Sequence, residues 1–396
     1  MQDYPKNVEH QTTYDFIIAG AGCAGLSLLY ALLQSSVLCT KNILVVDKSF
    51  QKSNDRTWCY WETEPSSFES VVCKSWDHIS VHKDSFSKEL STSPFTYKMI
   101  EGLDFYTHII QFAKQFSNVT WEQALISSID TEDSIATVHY DGGAAKSNHV
   151  FSSILPMDTL YTMSQAKRSK PFLWQHFKGL LVQFETNLFN PDVARLMDFN
   201  VDQKNGTGFM YVLPLNESKA LVEYTLFSKT LSKPQEYDVQ LRAYLDKNYP
   251  NTSYQILHEE IGAIPMTTHV FDKSKAPIFV IGTLGNAVKS STGYAFKFIQ
   301  TQVQQIINCL EQGINIDTEV HHTRHSFYDA VLLYILENQL MQGSEIFKRI
   351  FEKNKAATIF KFLSNTSTIW EDIQIMRSLP TRIFLPAAIK VLLRRG

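Results

Sequence analysis

Residues 14–47 constrain this chain more than any other stretch. Phe16-Ile17-Ile18-Ala19 is an apolar run that ends in Gly20-Ala21-Gly22-Cys23-Ala24-Gly25. About a dozen helix-forming residues follow, and a second apolar run, Ile43-Leu44-Val45-Val46, closes on Asp47. Each part has a physical task. The first run reads as a strand buried on both faces. Gly20 allows a tight turn, Gly22 lets the backbone approach a pyrophosphate, and Gly25 lets the helix pack close to the strand. The start of that helix offers free N–H groups and a positive dipole end to phosphates. Asp47 lies 22 residues beyond Gly25, where a carboxylate can accept hydrogen bonds from ribose hydroxyls. Strand, glycines, helix, strand and acid in register point to an ADP-bearing cofactor, and FAD and NAD fit this βαβ unit equally well.

A chain of 396 residues has room for two interleaved domains. A net charge of −3 argues against nucleic acid as a default partner. The 26 Phe and 17 Tyr suit a long apolar ligand, and they suit aromatic core filling equally well. Cys23, Cys39, Cys59, Cys73 and Cys309 are scattered, with neither metal spacing nor a disulfide framework, so no metal is expected and a reducing cytoplasm is. Residues 1–13 lack the basic and apolar regions of a secretory leader. No apolar run reaches the ~18–20 residues that span a bilayer, so contact with a membrane is expected only from the side.

Along the chain, Ser53 to Glu62 is charged and aromatic without a period, and reads as an ordered loop near the cofactor that contacts a ligand. Residues 69–99 alternate in short bursts, as antiparallel strands inserted into the nucleotide domain would. Asp104 to Phe116 has helical spacing. Val119 to Trp121, Ile126 to Ile129 and Ile135 to Tyr140 read as a meander closing at Asp141-Gly142-Gly143, and Val150 to Leu155 as a further buried strand. From Pro171 the chain turns β-rich, with segments at 173–182, 209–214 and 220–227 expected to form the sheet of a substrate domain. Leu241 to Tyr249 reads as a helix, and Glu260 to Met266 as a turn-rich return. Pro277 to Gly282 repeats the opening pattern, and with Gly293 it would bring a second glycine loop to the cofactor. That second loop favours FAD over NAD as the tightly held ligand. From Gly293 onward the chain reads as helical.

With these residues in view, the chain resembles the bacterial flavoprotein lycopene cyclases. The likeness rests on GAGCAG at 20–25, NDRTWCYWE at 54–62, QHFKG at 175–179 and LMDF at 196–199. It continues through FMYVLP at 209–214, ALVEYTLF at 220–227, GAIPM at 262–266 and STGYAF at 291–296. The resemblance implies an α/β fold with three parts. They are a discontinuous FAD-binding Rossmann-like domain of the aromatic-hydroxylase type (residues 12–75, 100–170 and 265–315), an inserted antiparallel substrate domain (76–99 and 171–264), and a C-terminal helical region (316–396). It implies an isomerase that closes the linear ends of lycopene into β-ionone rings, giving β-carotene by way of γ-carotene with no net redox change. Reduced FAD would be the active cofactor, NADPH or NADH its reductant, and the membrane surface the source of substrate. The cofactor contacts it implies are Gly20, Gly22, Ala24, Gly25, Asp47, Lys48, Arg56, Leu125, Gly282 and Gly293. Three positions depart from the common pattern: Gly282-Thr283 where Gly-Asp is frequent, Lys289-Ser290-Ser291 where a proline often stands, and Glu223-Tyr224 where two adjacent acids are common. An FAD monooxygenase or a polyprenyl reductase on the same fold is the alternative.

Ring closure needs a proton on a terminal C=C, attack by a neighbouring double bond, and loss of a proton. The carbocation between these steps requires a dry site with a strong acid and no nucleophile. Glu223, on a strand apolar on both faces, is the expected proton-transferring residue, since desolvation favours its protonated form. It should share a face with Leu221, Thr225 and Phe227. Asp198 and Glu260 come next. Trp58, Tyr60 and Trp61 could support the cation through their faces, although packing is the role first expected of them. Ile383 to Arg395, apolar with basic flanks, suits an interfacial helix.

Overall fold

Strand β2 (Phe16–Ala19) is buried at every position, and so are the first four residues of β3 (Ile43–Asp47). Such strands can lie only inside a sheet covered on both faces. They occupy the centre of a five-stranded parallel sheet of order β19-β13-β2-β3-β9, completed by β19 (Ile278–Val280), β13 (Val150–Ser152) and β9 (Val119–Gln123). The computed structural model describes residues 12–154, 170–270, 274–316 and 323–393. Helix α1 (Cys23–Gln34) crosses from β2 to β3 and packs Leu26, Leu28, Leu29, Leu32 and Leu33 against α2 (Gly102–Ala113) and α4 (Phe296–Gln312). Beneath this sheet lies a small meander of β1 (Thr12–Tyr14), β12 (Gly143–Ser147), β11 (Ile135–Tyr140) and β10 (Ile126–Glu132).

A seven-stranded sheet of order β18-β14-β17-β16-β15-β6-β7 forms the second layer. Its strands are β18 (Tyr254–Thr267), β14 (Phe172–Phe184), β17 (Lys219–Ser228), β16 (Thr207–Pro214), β15 (Val193–Asp198), β6 (His78–Lys83) and β7 (Phe86–Ser91). The alternation along β17 separates two cores. Val222, Tyr224 and Leu226 pack with α3 (Pro234–Asn248), whereas Leu221 and Phe227 face the core shared with the C-terminal helices. Those helices are α5 (Thr323–Glu337), α6 (Gly343–Lys353), α7 (Ala356–Leu363), α8 (Ile369–Arg377) and α9 (Thr381–Leu393). A three-stranded sheet, β4 (Thr57–Glu62), β8 (Thr96–Glu101) and β5 (Val72–Trp76), stands between the layers.

Three segments depart from the expectation. The stretch taken as a loop at 53–62 contains β4, which shows no alternation because Tyr60, Trp61 and Glu62 are all buried. The turn-rich return at 260–266 is the second half of β18, a 14-residue strand. Pro265 is tolerated there because β18 is the edge strand and needs no second row of hydrogen bonds. Val119 to Trp121 belongs to the parallel sheet, not to the meander. Leu155, expected in the strand with Val150, lies outside the described residues.

Candidate active site

Gly20 adopts φ +101°, and its N–H donates to the Val46 carbonyl oxygen at 2.8 Å, so the chain turns sharply off β2. A Cβ on Gly25 would stand 1.9 Å from the Gly20 carbonyl oxygen, which fixes how closely α1 approaches the strand. Gly22 differs: apart from its own chain neighbours and helix backbone, no atom of the described residues lies within 4 Å of where its Cβ would be. It caps the N-terminus of α1 and faces open space. Asp47 accepts from Ala21 N–H at 2.6 Å and Ser49 N–H at 2.9 Å, and pairs with Lys52 at 3.3 Å, so its carboxylate braces the glycine turn. Lys48 beside it is exposed. Leu125, 60% exposed, follows β9 near the end of β3.

The second glycine loop closes on the first. Gly282, at φ +69°, leaves so little room that a Cβ would meet the Ala24 side chain at 2.9 Å. Gly293, at φ +73°, would press a Cβ to 2.4 Å from Gln175 Oε1. Lys289, 1% exposed, pairs with Asp329 of α5 at 2.8 Å and donates to Asn365 Oδ1 at 2.7 Å. Ser291 donates to the same Asp329 at 2.7 Å. The departure at 289–291 is thus an anchorage of the loop to the C-terminal helices.

Between the glycine loops and the seven-stranded sheet lies a cavity of about 340 Å³. Gly22, Ala24, Arg56, Gly282 and Gly293 line it from the glycine loops and the approach to β4, and Leu213, Leu221, Glu223 and Ile264 from the seven-stranded sheet. Gly20, Gly25, Asp47, Lys48 and Leu125 do not line it. The first two shape the turn, and the last three cluster at the C-terminal end of β3, behind the glycine turn. Trp58 reaches the cavity, whereas Tyr60 stacks on Phe296 at 4.7 Å and Trp61 on Phe360 at 4.4 Å, both within the core. Arg56 is held by Asp55 at 2.9 Å.

Glu223 accepts from Thr225 Oγ1 at 2.6 Å. Its carboxyl is pushed up to about 8, first by burial and then by the charge of Glu260. Burial raises Glu260 as well, while the Thr57 hydroxyl, donating to Oε2 at 2.9 Å, works against the rise. Tyr97, Tyr211 and Tyr294 gather around the pair with Cys59. Burial holds all four well above their ordinary values, so they stay neutral. Asp198, the other acid considered, pairs with Arg195 at 3.3 Å and accepts from Tyr244 at 2.8 Å, away from the cavity lining. Tyr97, Tyr211 and Gln175 escaped the sequence reading. Gln175 and Tyr211 fall within the quoted segments QHFKG and FMYVLP, but only the folded sheet sets Tyr211 opposite Glu223 and Gln175 against Gly293.

Solved structures with this fold include a flavoprotein/dehydrogenase from Cytophaga hutchinsonii, 10% identical, covering 97% of this chain and 100% of that one, with a TM-score of 0.59. A geranylgeranyl bacteriochlorophyll reductase-like protein from Thermoplasma acidophilum is 12% identical over 97% and 99% of the two chains, at 0.58. A probable FAD-dependent monooxygenase from Pseudomonas aeruginosa is 13% identical over 83% and 98%, at 0.57. They bear out the expected α/β flavoprotein fold. In sequence, the lycopene beta-cyclase of Pantoea ananas is 23% identical over 324 residues, which are 79% of this chain and 78% of that protein. The family described as "Lycopene cyclase protein" matches residues 15–388, nearly the whole length. The chain belongs to the lycopene cyclase family.

Proposed function

We propose that this protein is a flavin-dependent lycopene β-cyclase, an isomerase that closes the linear ends of lycopene into β-ionone rings. The observation that carries the reading is Glu223, a carboxyl on the cavity wall whose burial and acidic neighbour keep it protonated near neutral pH. A general acid for a weakly basic alkene needs that state. Glu223 gives its proton to the terminal double bond, the neighbouring double bond closes the ring, and a proton leaves from a carbon beside the cation. Leu213, Leu221, Phe177 and Ile264 line the cavity with apolar surface, which keeps water from the cation.

The cofactor of this reading is FAD, kept reduced by NADPH or NADH. The residues fit it. Gly22 leaves the space above the α1 N-terminus open, and Gln175 Oε1 and Thr292 Oγ1 are buried at the second glycine loop with no hydrogen-bond partner among the described residues. The helix N-terminus and Gly22 would hold the pyrophosphate, and Gly282, Gly293 and Gln175 the ring system. Bound there and reduced, a flavin would supply negative charge that stabilises the carbocation.

The substrate is a hydrocarbon, so it would be drawn from lipid. Among the described residues no helix is long and apolar enough to cross a membrane. On α9, Leu385, Ile389, Leu392 and Leu393 form an exposed apolar stripe at helical spacing, and the neighbouring α8 carries Trp370, 80% exposed. Arg377, Arg382 and Lys390 lie on the same two helices. Such a surface supports peripheral binding to a bilayer. Arg394 and Arg395 lie outside the described residues.

Expression in a lycopene-accumulating bacterial host tests the reading. Orange cyclic carotenoid is the expected product. Unchanged red lycopene would overturn it, and new polar products would point to a monooxygenase.

A further inference from the structure

The acid-bearing strand presents one glutamate in sequence, but the sheet supplies a second. In the register of β17, β14 and β18, Glu223 lies opposite Gly179, and Gly179 lies opposite Glu260. Residues directly opposite one another in a sheet project from the same face. The two glutamates therefore flank a position that has no side chain. A Cβ on Gly179 would stand 2.9 Å from Glu260 Cγ, 3.1 Å from its Oε1 and 3.2 Å from Leu221 Cδ1, so only glycine leaves the passage open. Across it the two acids are close enough for each to act on the other's ionisation.

The outer oxygens are already occupied. Thr225 donates to Glu223 Oε1 and Thr57 to Glu260 Oε2, which leaves Glu260 Oε1 beside the gap. Among the described residues neither carboxyl takes part in an ion pair. Lys178, next to Gly179 on β14, pairs instead with Asp238 at 2.6 Å and Glu259 at 2.8 Å, a residue off in register from both acids and so on the other face. The groups around the pair are Cys59 of β4, Tyr97 and Glu101 of β8, Tyr211 of β16, Tyr294 of the second glycine loop, and His258 of β18. His258 donates to the Asn54 carbonyl oxygen, and Arg56 lines the same cavity.

We propose that Glu260 is the positioning partner of Glu223, the two carboxyl groups sharing one proton across Gly179. This rests on the reading of Glu223 as the acid. Ionising both of two neighbouring carboxyls is costly unless a positive charge faces them, so at rest the pair retains a proton at pH values where a lone glutamate would have lost it. During turnover the O–H bond of Glu223 breaks, the π bond of the terminal C=C breaks, and a C–H bond forms at that double bond's less substituted carbon, leaving the pair with two negative charges opposite one carbocation. After ring closure a C–H bond beside the cation breaks, its electrons form the ring double bond, and the proton returns to the pair. Protons and electrons balance, and the pair ends as it began.

The test has two readouts. In purified protein without substrate, the infrared C=O stretch of a protonated carboxyl is titrated in wild type, Glu260→Gln and Glu223→Gln. In turnover, the pH profile and KM for lycopene are compared between wild type and Glu260→Gln. In wild type the acid band is expected to persist to about pH 8. In Glu260→Gln its midpoint and the falling limb of the rate profile should both move down by on the order of one pH unit or more. KM for lycopene should change little, because the amide keeps the side chain's shape, and the loss should fall on kcat above the displaced limb. An unmoved midpoint and limb would overturn the pair. So would a wild-type spectrum with no acid band above about pH 6, a reading that needs no variant to fold. A titrating shared-proton band in a wild type that makes no cyclic product would overturn the proposed function while leaving the pair standing.

Discussion

Lys289 Nζ lies 2.8 Å from Asp329 Oδ1, and the lysine side chain is wholly buried. The pair ties the loop bearing Gly293 to α5, and Ser291 donates to the same carboxylate. Removing one member of a buried pair strands the other's charge. Lys289→Met should therefore cost about 3–5 kcal/mol, read as a lower urea midpoint by tryptophan fluorescence. Adding Asp329→Leu should restore most of the loss.

Gly22 and Gly25 differ by one helical turn and should fail differently. Gly22→Val has open space for its side chain, so the protein should fold yet lose flavin, because the branch stands where a pyrophosphate would approach. A folded, colourless protein by circular dichroism and absorbance is the expected result, and retained yellow colour would contradict the assignment. Gly25→Ala drives a methyl to 1.9 Å from the Gly20 carbonyl oxygen and should destabilise the fold itself, by more than the ~1–3 kcal/mol of ordinary overpacking.

Glu223→Gln keeps the shape of the side chain and removes its transferable proton. Ring formation should fall by roughly 10²–10⁴-fold, with flavin content unchanged and lycopene still bound. Product analysis by chromatography checks this, and a near wild-type rate would remove Glu223 from the mechanism.

The same residue leaves a mark on stability. Its ordinary value is 4.5 and its folded value about 8. Between these pH values the folded chain holds a proton that the unfolded chain has released, so unfolding free energy falls as pH rises and levels off above about 8. Glu223→Gln lacks this loss. Its stability relative to wild type should climb from pH 4.5 to 8 in urea titrations run across that range.

Leu385, Ile389 and Leu392 face solvent along one side of α9. Changing all three to Asp should leave the fold and flavin content intact while flotation with anionic liposomes drops several-fold. Unchanged flotation would move the membrane contact elsewhere.

The parts of this molecule written locally were legible in the chain. The β2–Gly20–α1–β3 unit follows from buried strands and glycine positions, and the burial of Glu223 follows from an apolar strand. What escaped was decided at a distance. Thr57 to Glu62 carries no alternation because both its faces are covered, and Pro265 in β18 reads as punctuation until the strand is seen to lie at an edge. Glu260 could be weighed as an alternative acid, but not as a companion. That relation depends on the register of three strands and on the missing side chain of Gly179, which appears in the sequence only as one glycine among 16.

The near-contact between Gly282 and Ala24 also bears on the order in which the molecule comes into being. Chains emerge from the ribosome N-terminus first, at roughly 5–20 residues per second. The first glycine turn is thus exposed early, but the wall opposite it arrives more than 250 residues later. Strand β2 must likewise await β13 for one of its neighbours. Nothing can be clasped between the two loops until most of the polypeptide has been made. Loading of the pocket is therefore an event of the finished chain, and a truncated product ending before Gly282 would leave the ribosome with half a clasp.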